Sequence, residues 1–253
     1  MKLLYMFFFF AIGITIGSIF NKIGKHLPNN EKIFKKEKCP NCGYQFEIYE
    51  RIPLFSYFAC SGRCSMCNNR LDSLEVLNEF FTGFLFVVAY YVFGLSYDLL
   101  IAFGIISLLM IVVVSDLTYY IISDEVLIFF NCYFILISLF KDGLEGMLLH
   151  VASGFFLFFI MYLIMVIGNL ILKKESLGGG DIKMMFTFGL LLGPVVGLFS
   201  IFVSSVIALP VSLLIMYTKK ENIIPFGPFL LISLTLLYFT KFDINVVLNL
   251  LKF

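Results

Sequence analysis

The sequence predicts an all-α polytopic membrane protein of about eight transmembrane helices, with a small zinc-knuckle cytoplasmic domain inserted after helix 1. Three observations lead there. Of 253 residues, 60% are hydrophobic and only 14% charged, and the mean hydropathy is +0.99, too apolar for a soluble domain of this size. Apolar runs long enough to cross a hydrocarbon core of about 30 Å recur along the chain. One long polar segment interrupts them and carries two CxxC pairs.

The apolar runs begin near Leu3, Val76, Leu99, Val126, Met147, Val195 and Ile223, with a shorter one between Ile182 and Leu192. Ile182 to Tyr217 is too long for a single crossing, and the Gly193-Pro194 pair within it is a natural break. Two helices are therefore expected there. The first run, Leu3–Phe20, reads as a retained anchor. Only Lys2 precedes it, no small-x-small cleavage site follows, and Asn21, Lys22 and Lys25 come next. The expected organisation is a transmembrane helix over 1–20, a cytoplasmic zinc-binding domain over 21–73 and a transmembrane catalytic domain over 74–253.

The polar segment holds Lys22, Lys25, Lys32, Lys35, Lys36, Lys38, Arg51, Arg63 and Arg70, half of the 18 basic residues. The positive-inside bias places it in the cytoplasm and the N-terminus outside. Threading eight helices from there puts Lys173, Lys174, Lys183, Lys219 and Lys220 inside as well, and only Lys2, Lys141, Lys241 and Lys252 outside. A net charge of +1 leaves no basic surface for nucleic acid. The Lys32–Lys38 run reads as a solvated face or an anchor for anionic headgroups.

Cys39-Pro-Asn-Cys42 and Cys64-Ser-Met-Cys67 have the spacing of a double zinc knuckle. Four thiolates close a tetrahedral shell around zinc and leave no open position, so the metal is expected to be structural. A reducing cytoplasm disfavours the alternative of two disulfides. Cys60 is a less regularly spaced substitute ligand, and Cys132, in an apolar run, reads as packing.

Chemistry is expected at two acids. Asp116 ends the run Leu99–Ser115, and Asp181 follows Gly178-Gly179-Gly180 at the opening of the next-but-two helix. The threading brings both to the cytoplasmic edge, where an ionisable group is costly unless it meets water or a partner. Two carboxylates sharing one site repel, so one keeps its proton near neutral pH; the other takes a proton from water while the protonated acid polarises a peptide carbonyl. The glycines let backbone lie close to such a centre. A simple helix cap would also explain a Gly-Gly-Gly-Asp turn. Asp124 is a candidate N-cap, Glu79 a candidate neighbour of the same site, and Glu75 an interfacial residue. Asp98, Asp142 and Glu145 read as outer-loop residues. His26 and His150 fall on opposite sides, which leaves no Ser/His or Cys/His set.

In this order the motifs resemble those of the bacterial type IV prepilin peptidases, within the GxGD aspartyl proteases, over nearly the whole chain. Gly178-Gly179-Gly180-Asp181-Ile182-Lys183 is similar to the family's GxGDxK motif, and Asp116 falls where the family has its other catalytic aspartate. Gly17-Ser18-Ile19-Phe20-Asn21, the four paired cysteines, Ile52-Pro53, Ser56, Glu79, Thr82-Gly83 and Ile224-Pro225-Phe226-Gly227-Pro228 match further elements. Arg51 stands in place of an Asn, Ser123 of a Pro, and Glu75-Val76 of a Tyr-Pro pair. The resemblance implies cleavage of prepilins and pseudopilins after a glycine at the cytoplasmic membrane face. It also implies methylation of the new N-terminus by S-adenosylmethionine, whose binding residues the sequence does not disclose. Asp116 and Asp181 are then catalytic; Gly178, Gly180, Lys183 and Glu79 support them; Cys39, Cys42, Cys64 and Cys67 hold zinc. The competing expectations are a transporter using the acids for proton or cation passage, and a zinc-dependent scaffold for pilus assembly.

Overall fold

The computed structural model describes residues 2–33, 39, 41–45, 63–69, 73–173, 178–219 and 225–242. Among these there are helices and no strand. Helix α1, Lys2–His26, continues six residues past the apolar run that predicts it. It stops where Pro28 enters a short 3₁₀ turn, Leu27–Asn29, closed by Asn30 in the left-handed region. Helix α2, Ser73–Phe93, ends at Gly94 with φ 62°. Helix α3, Tyr97–Tyr119, starts at Ser96, whose hydroxyl accepts the Leu99 N–H, and ends at Tyr120, also left-handed. Then come α4, Asp124–Leu172, α5, Gly179–Lys219, and α6, Gly227–Phe239, with Pro228 in its first turn. Helices α1 to α5 are each long and apolar enough to cross a membrane. This is a multi-pass membrane protein.

Two compact units divide the chain, Met1–Leu95 and Ser96–Phe253. In the first, α1 lies so close along α2 that a methyl on Gly13 would come within 2.6 Å of Gly83 Cα. Buried Asn21 and Asn78 join the two helices side chain to side chain at 2.7 Å. Asn21 also donates to the Glu75 carbonyl at 3.0 Å, and Lys25 pairs with the Glu75 carboxylate. Such polar contacts add to the association of apolar helices in lipid.

In the second unit α3 is the most buried helix, with Ile105, Ile106 and Leu108 sealed from outside. Helices α4 and α5 each turn back on themselves without a loop. A straight helix of 49 residues would be about 74 Å long, over twice the hydrocarbon thickness of about 30 Å. At Gly143, φ 71° and ψ −173° break it, a conformation essentially restricted to glycine. The fold-back is visible in its contacts. Asn131 accepts the Thr187 hydroxyl at 2.7 Å, while the Ser153 carbonyl blocks any methyl on Gly189. Asn131 and Ser153 would be about 33 Å apart along a straight helix, yet they meet positions 187 and 189 of α5. Gly193, φ 75° and ψ 177°, does the same for α5, with Pro194 next. There a methyl on Gly197 would lie 3.5 Å from the carbonyl of Phe188. The expected Gly193-Pro194 break is present, and the expected division between the runs from Val126 and Met147 falls at Gly143. The second arm of α5 packs on α6 through Val196 and Leu237, flanked by stacked rings of Phe199 and Phe242.

Candidate functional site

Asp116 lies in the last turn of α3, buried at 6% exposure. Its main-chain carbonyl accepts the Tyr120 N–H that closes the helix. Its Oδ2 accepts the N–H of Gly227, the first residue of α6, at 3.2 Å. An N–H at a helix start has no partner inside the helix, and the positive end of the helix dipole favours an anion there. The approach leaves no room for a side chain. A methyl on Gly227 would sit 2.9 Å from Asp116 Oδ2.

Asp181 lies in the first turn of α5, half-buried. The helix begins at Gly179, so Asp181 stands inside it and not at the cap position. Its carboxylate lies beside Gly178, where a methyl would come within 3.3 Å of Oδ2, and it is within electrostatic reach of Asp116. The fold therefore brings together two acids 65 residues apart in sequence. Two carboxylates near one another at converging helix ends can serve general acid–base hydrolysis.

Lys183, also expected at the site, binds both oxygens of Asp124 at 2.7 Å. Asp124 is not the cap of α4: Ser123 holds that position, and Asp124 follows in the first turn. Gly180 packs against Ile122, whose Cβ would lie 3.0 Å from a methyl there, whereas Gly179 has nothing within 4 Å. Glu79 belongs to the other unit, buried in α2, where a methyl on Gly17 of α1 would lie 2.9 Å from its Cα.

Sequence reasoning gave no role to Ile122 or to the Gly227 N–H. A glycine after Pro-Phe at a helix start was the available signal for the latter; nothing in sequence marked the former. It also underestimated Asp98, which stands in the first turn of α3 and joins Lys141 at 2.7 Å and the Tyr238 hydroxyl at 3.2 Å. His150 and Asp142 pair at 3.5 Å across the Gly143 break.

The two CxxC segments fold as near copies. In each, the first cysteine's carbonyl accepts an N–H from a left-handed residue, Gly43 or Asn68, at 2.9 Å. In each its own N–H donates back across the turn, from Cys39 to the Tyr44 carbonyl and from Cys64 to that of Asn69. The four sulfurs lie within 4.8 Å of one another, with Cys39–Cys67 at 3.6 Å and Cys42–Cys64 at 3.8 Å. A disulfide needs about 2.05 Å. A tetrahedron with metal–sulfur bonds of about 2.3 Å has edges of about 3.8 Å, so the cluster has the dimensions of a four-thiolate metal site. The N–H groups of Cys42 and Asn41 lower the Cys39 thiol to a pKa of about 6, while, against the Tyr44 N–H, burial and the neighbouring thiols push Cys42 up to about 12. Cys60 lies outside the described residues.

Two family models match. Residues 11–93 match the bacterial peptidase A24 N-terminal domain, and residues 103–213 match the type IV leader peptidase family. The chain is 31% identical to the prepilin leader peptidase/N-methyltransferase of Bacillus subtilis over 187 residues, 73% of this chain and 72% of that protein. It is 30% identical to the enzyme of the same name from Myxococcus xanthus, over 70% of this chain and 53% of that one. With that of Vibrio cholerae it shares 26% identity over 95% of this chain and 98% of the relative. No solved structure matches it.

Proposed function

We propose, since this chain belongs to the type IV leader peptidase family, that it is an intramembrane aspartyl endopeptidase removing the leader from type IV prepilins and pseudopilins at the cytoplasmic membrane face. The observation that carries the mechanism is the approach of Asp116 and Asp181 at converging helix ends, around the Gly227 N–H and Gly180. One carboxylate takes a proton from water as its oxygen attacks the scissile carbonyl. The other, protonated, donates to the carbonyl oxygen. The diol so formed collapses with cleavage of the C–N bond: the first acid passes its proton to the departing amine, and a diol hydroxyl returns one to the second, which restores the pair. Titration belongs to the pair and is not divided between its members. The Gly227 N–H fixes Asp116, Gly178 and Gly180 let the α5 backbone approach, and Lys183 ties that helix start to Asp124.

The helices broken at Gly143 and Gly193 support eight crossings, with N-terminus outside and both the cysteine segment and the carboxylates on the cytoplasmic side. The domains are then 1–20, 21–73 and 74–253. Cys39, Cys42, Cys64 and Cys67 would hold one zinc ion, whose closed shell supplies folding energy to a segment with little core of its own. The relatives' name supports a second step, methylation of the new N-terminus from S-adenosylmethionine. Arg51, where the resemblance departs, lies outside the described residues. Family membership favours proteolysis over transport or a purely structural scaffold.

The test is to incubate detergent-purified enzyme with a prepilin, with and without S-adenosylmethionine, and weigh the products. Loss of the leader alone without the donor, and a further 14 Da on the mature chain with it (roughly one CH₂ added, as for methylated side chains), are the expected results. An intact prepilin in both tubes would end the reading.

A further inference from the structure

The turn between α3 and α4 sets one side chain against the backbones that carry both carboxylates. A methyl on Gly180 would lie 3.0 Å from Ile122 Cβ and 3.1 Å from its Cδ1. A methyl on Gly227 would lie 3.1 Å from the same Cδ1. Gly180 immediately precedes Asp181, and the Gly227 N–H grips Asp116. We propose that Ile122 is a positioning residue, a spacer that sets the gap between the two carboxylates; this rests on reading Asp116 and Asp181 as the catalytic pair.

The wedge is suited to the task. A β-branched side chain has few χ1 choices, and its turn is pinned at both ends. Tyr120 donates its N–H to the Asp116 carbonyl, and buried Ser123 starts α4. On both faces Ile122 meets glycine backbone, which cannot step aside as a flexible side chain would. Two residues on, Asp124 binds Lys183, itself two residues after Asp181, so an ion pair ties α5 to this same turn. That pair is half exposed and therefore weak; its use here is direction.

Interaction between charges depends on their separation, so the spacer controls how strongly the two titrations are coupled. The other ionisable groups on these helix ends are Tyr119 and the capping Tyr120 on α3, Asp124 and Glu125 on α4, and Lys183 on α5. Asp124 and Lys183 are engaged with each other.

The experiment measures kcat, KM and the pH–rate profile of full-length Ile122→Ala, Ile122→Leu and Ile122→Val on a prepilin, with Ile121→Ala and Asp116→Asn as controls. Ile122→Ala is expected to lose about tenfold in kcat with little change in KM, as misplacement of reacting groups does. The separation of its two pH limbs should change by roughly half a unit or more. Ile122→Leu keeps the volume but loses the β-branch; it should show a smaller change of the same kind, and serves if Ile122→Ala does not fold. Ile122→Val should restore most of the rate, and exposed Ile121→Ala should match the parent. Unmoved limbs in both Ala and Leu variants would overturn the proposal even if their rates fall, because a merely structural role would leave coupling intact. Cleavage by Asp116→Asn at the parental rate would instead overturn the catalytic reading on which the spacer depends.

Discussion

At the cysteine cluster the ligands come from two short turns that each close on their own hydrogen bonds. At the carboxylate pair, the end of α3, the α3–α4 turn and the starts of α5 and α6 must all arrive together. The first site can be assembled by its ligand, because four thiolates and a metal supply most of the order it needs. The second can only be assembled by its scaffold: positions 116 and 227 touch across 111 residues of chain. One site should therefore fail through loss of metal, the other through small displacements of helix ends.

The sharpest separation is chemical. Asp116→Asn and Asp181→Asn should each lower prepilin cleavage by about a thousandfold, the range of general acid–base catalysis. Metal content and thermal melting should stay as in the parent. Cys39→Ser with Cys42→Ser should do the reverse to metal, emptying the cluster by elemental analysis and removing hydrogen-exchange protection at 39–45 and 63–69. If the aspartate variants also lost metal, the two sites would not be independent.

Next come the glycines. Gly227→Ala places a methyl 2.9 Å from Asp116 Oδ2 and should cost about a hundredfold in kcat, the scale of a 1 Å misplacement. Gly143→Ala and Gly193→Ala put a side chain into a glycine-only conformation and should each cost about 1–3 kcal/mol of stability, read as a lower melting temperature. Within the GxGD turn the contrast is finer. Gly180→Ala presses on Ile122 and should slow cleavage, whereas Gly179→Ala meets nothing within 4 Å and should raise stability by about 0.4–1 kcal/mol at parental activity. Smallest of all, Lys183→Met should cost under about 1 kcal/mol of stability, since the Asp124 pair is half exposed.

Much of the fold was legible because lipid imposes one rule, about 20 apolar residues per crossing, and most of the runs obey it, though α6, at 13 residues, falls short. The Gly193 break was signalled by its proline neighbour; the Gly143 break was bracketed by two apolar runs but not located, although Asp142-Gly143, between Lys141 and Glu145, is itself a turn signal. The cysteines were legible because a knuckle is local. Asp116 and Asp181 stood out as candidates by their place at the ends of apolar runs. Ile122 was not, because an isoleucine in an apolar chain looks like every other, and its role exists only when α5 and α6 arrive on either side. Asp98 was misjudged for a related reason: Tyr238, the group that receives it, lies 140 residues away.

Gly143 also governs parity. In the eight-crossing topology proposed above, Asp116 and Asp181 face the same compartment only because the two arms of α4 count as separate crossings. Were one residue to straighten the helix, every later segment would be inserted upside down, and the enzyme would be undone by topology before any bond or charge at its centre had changed.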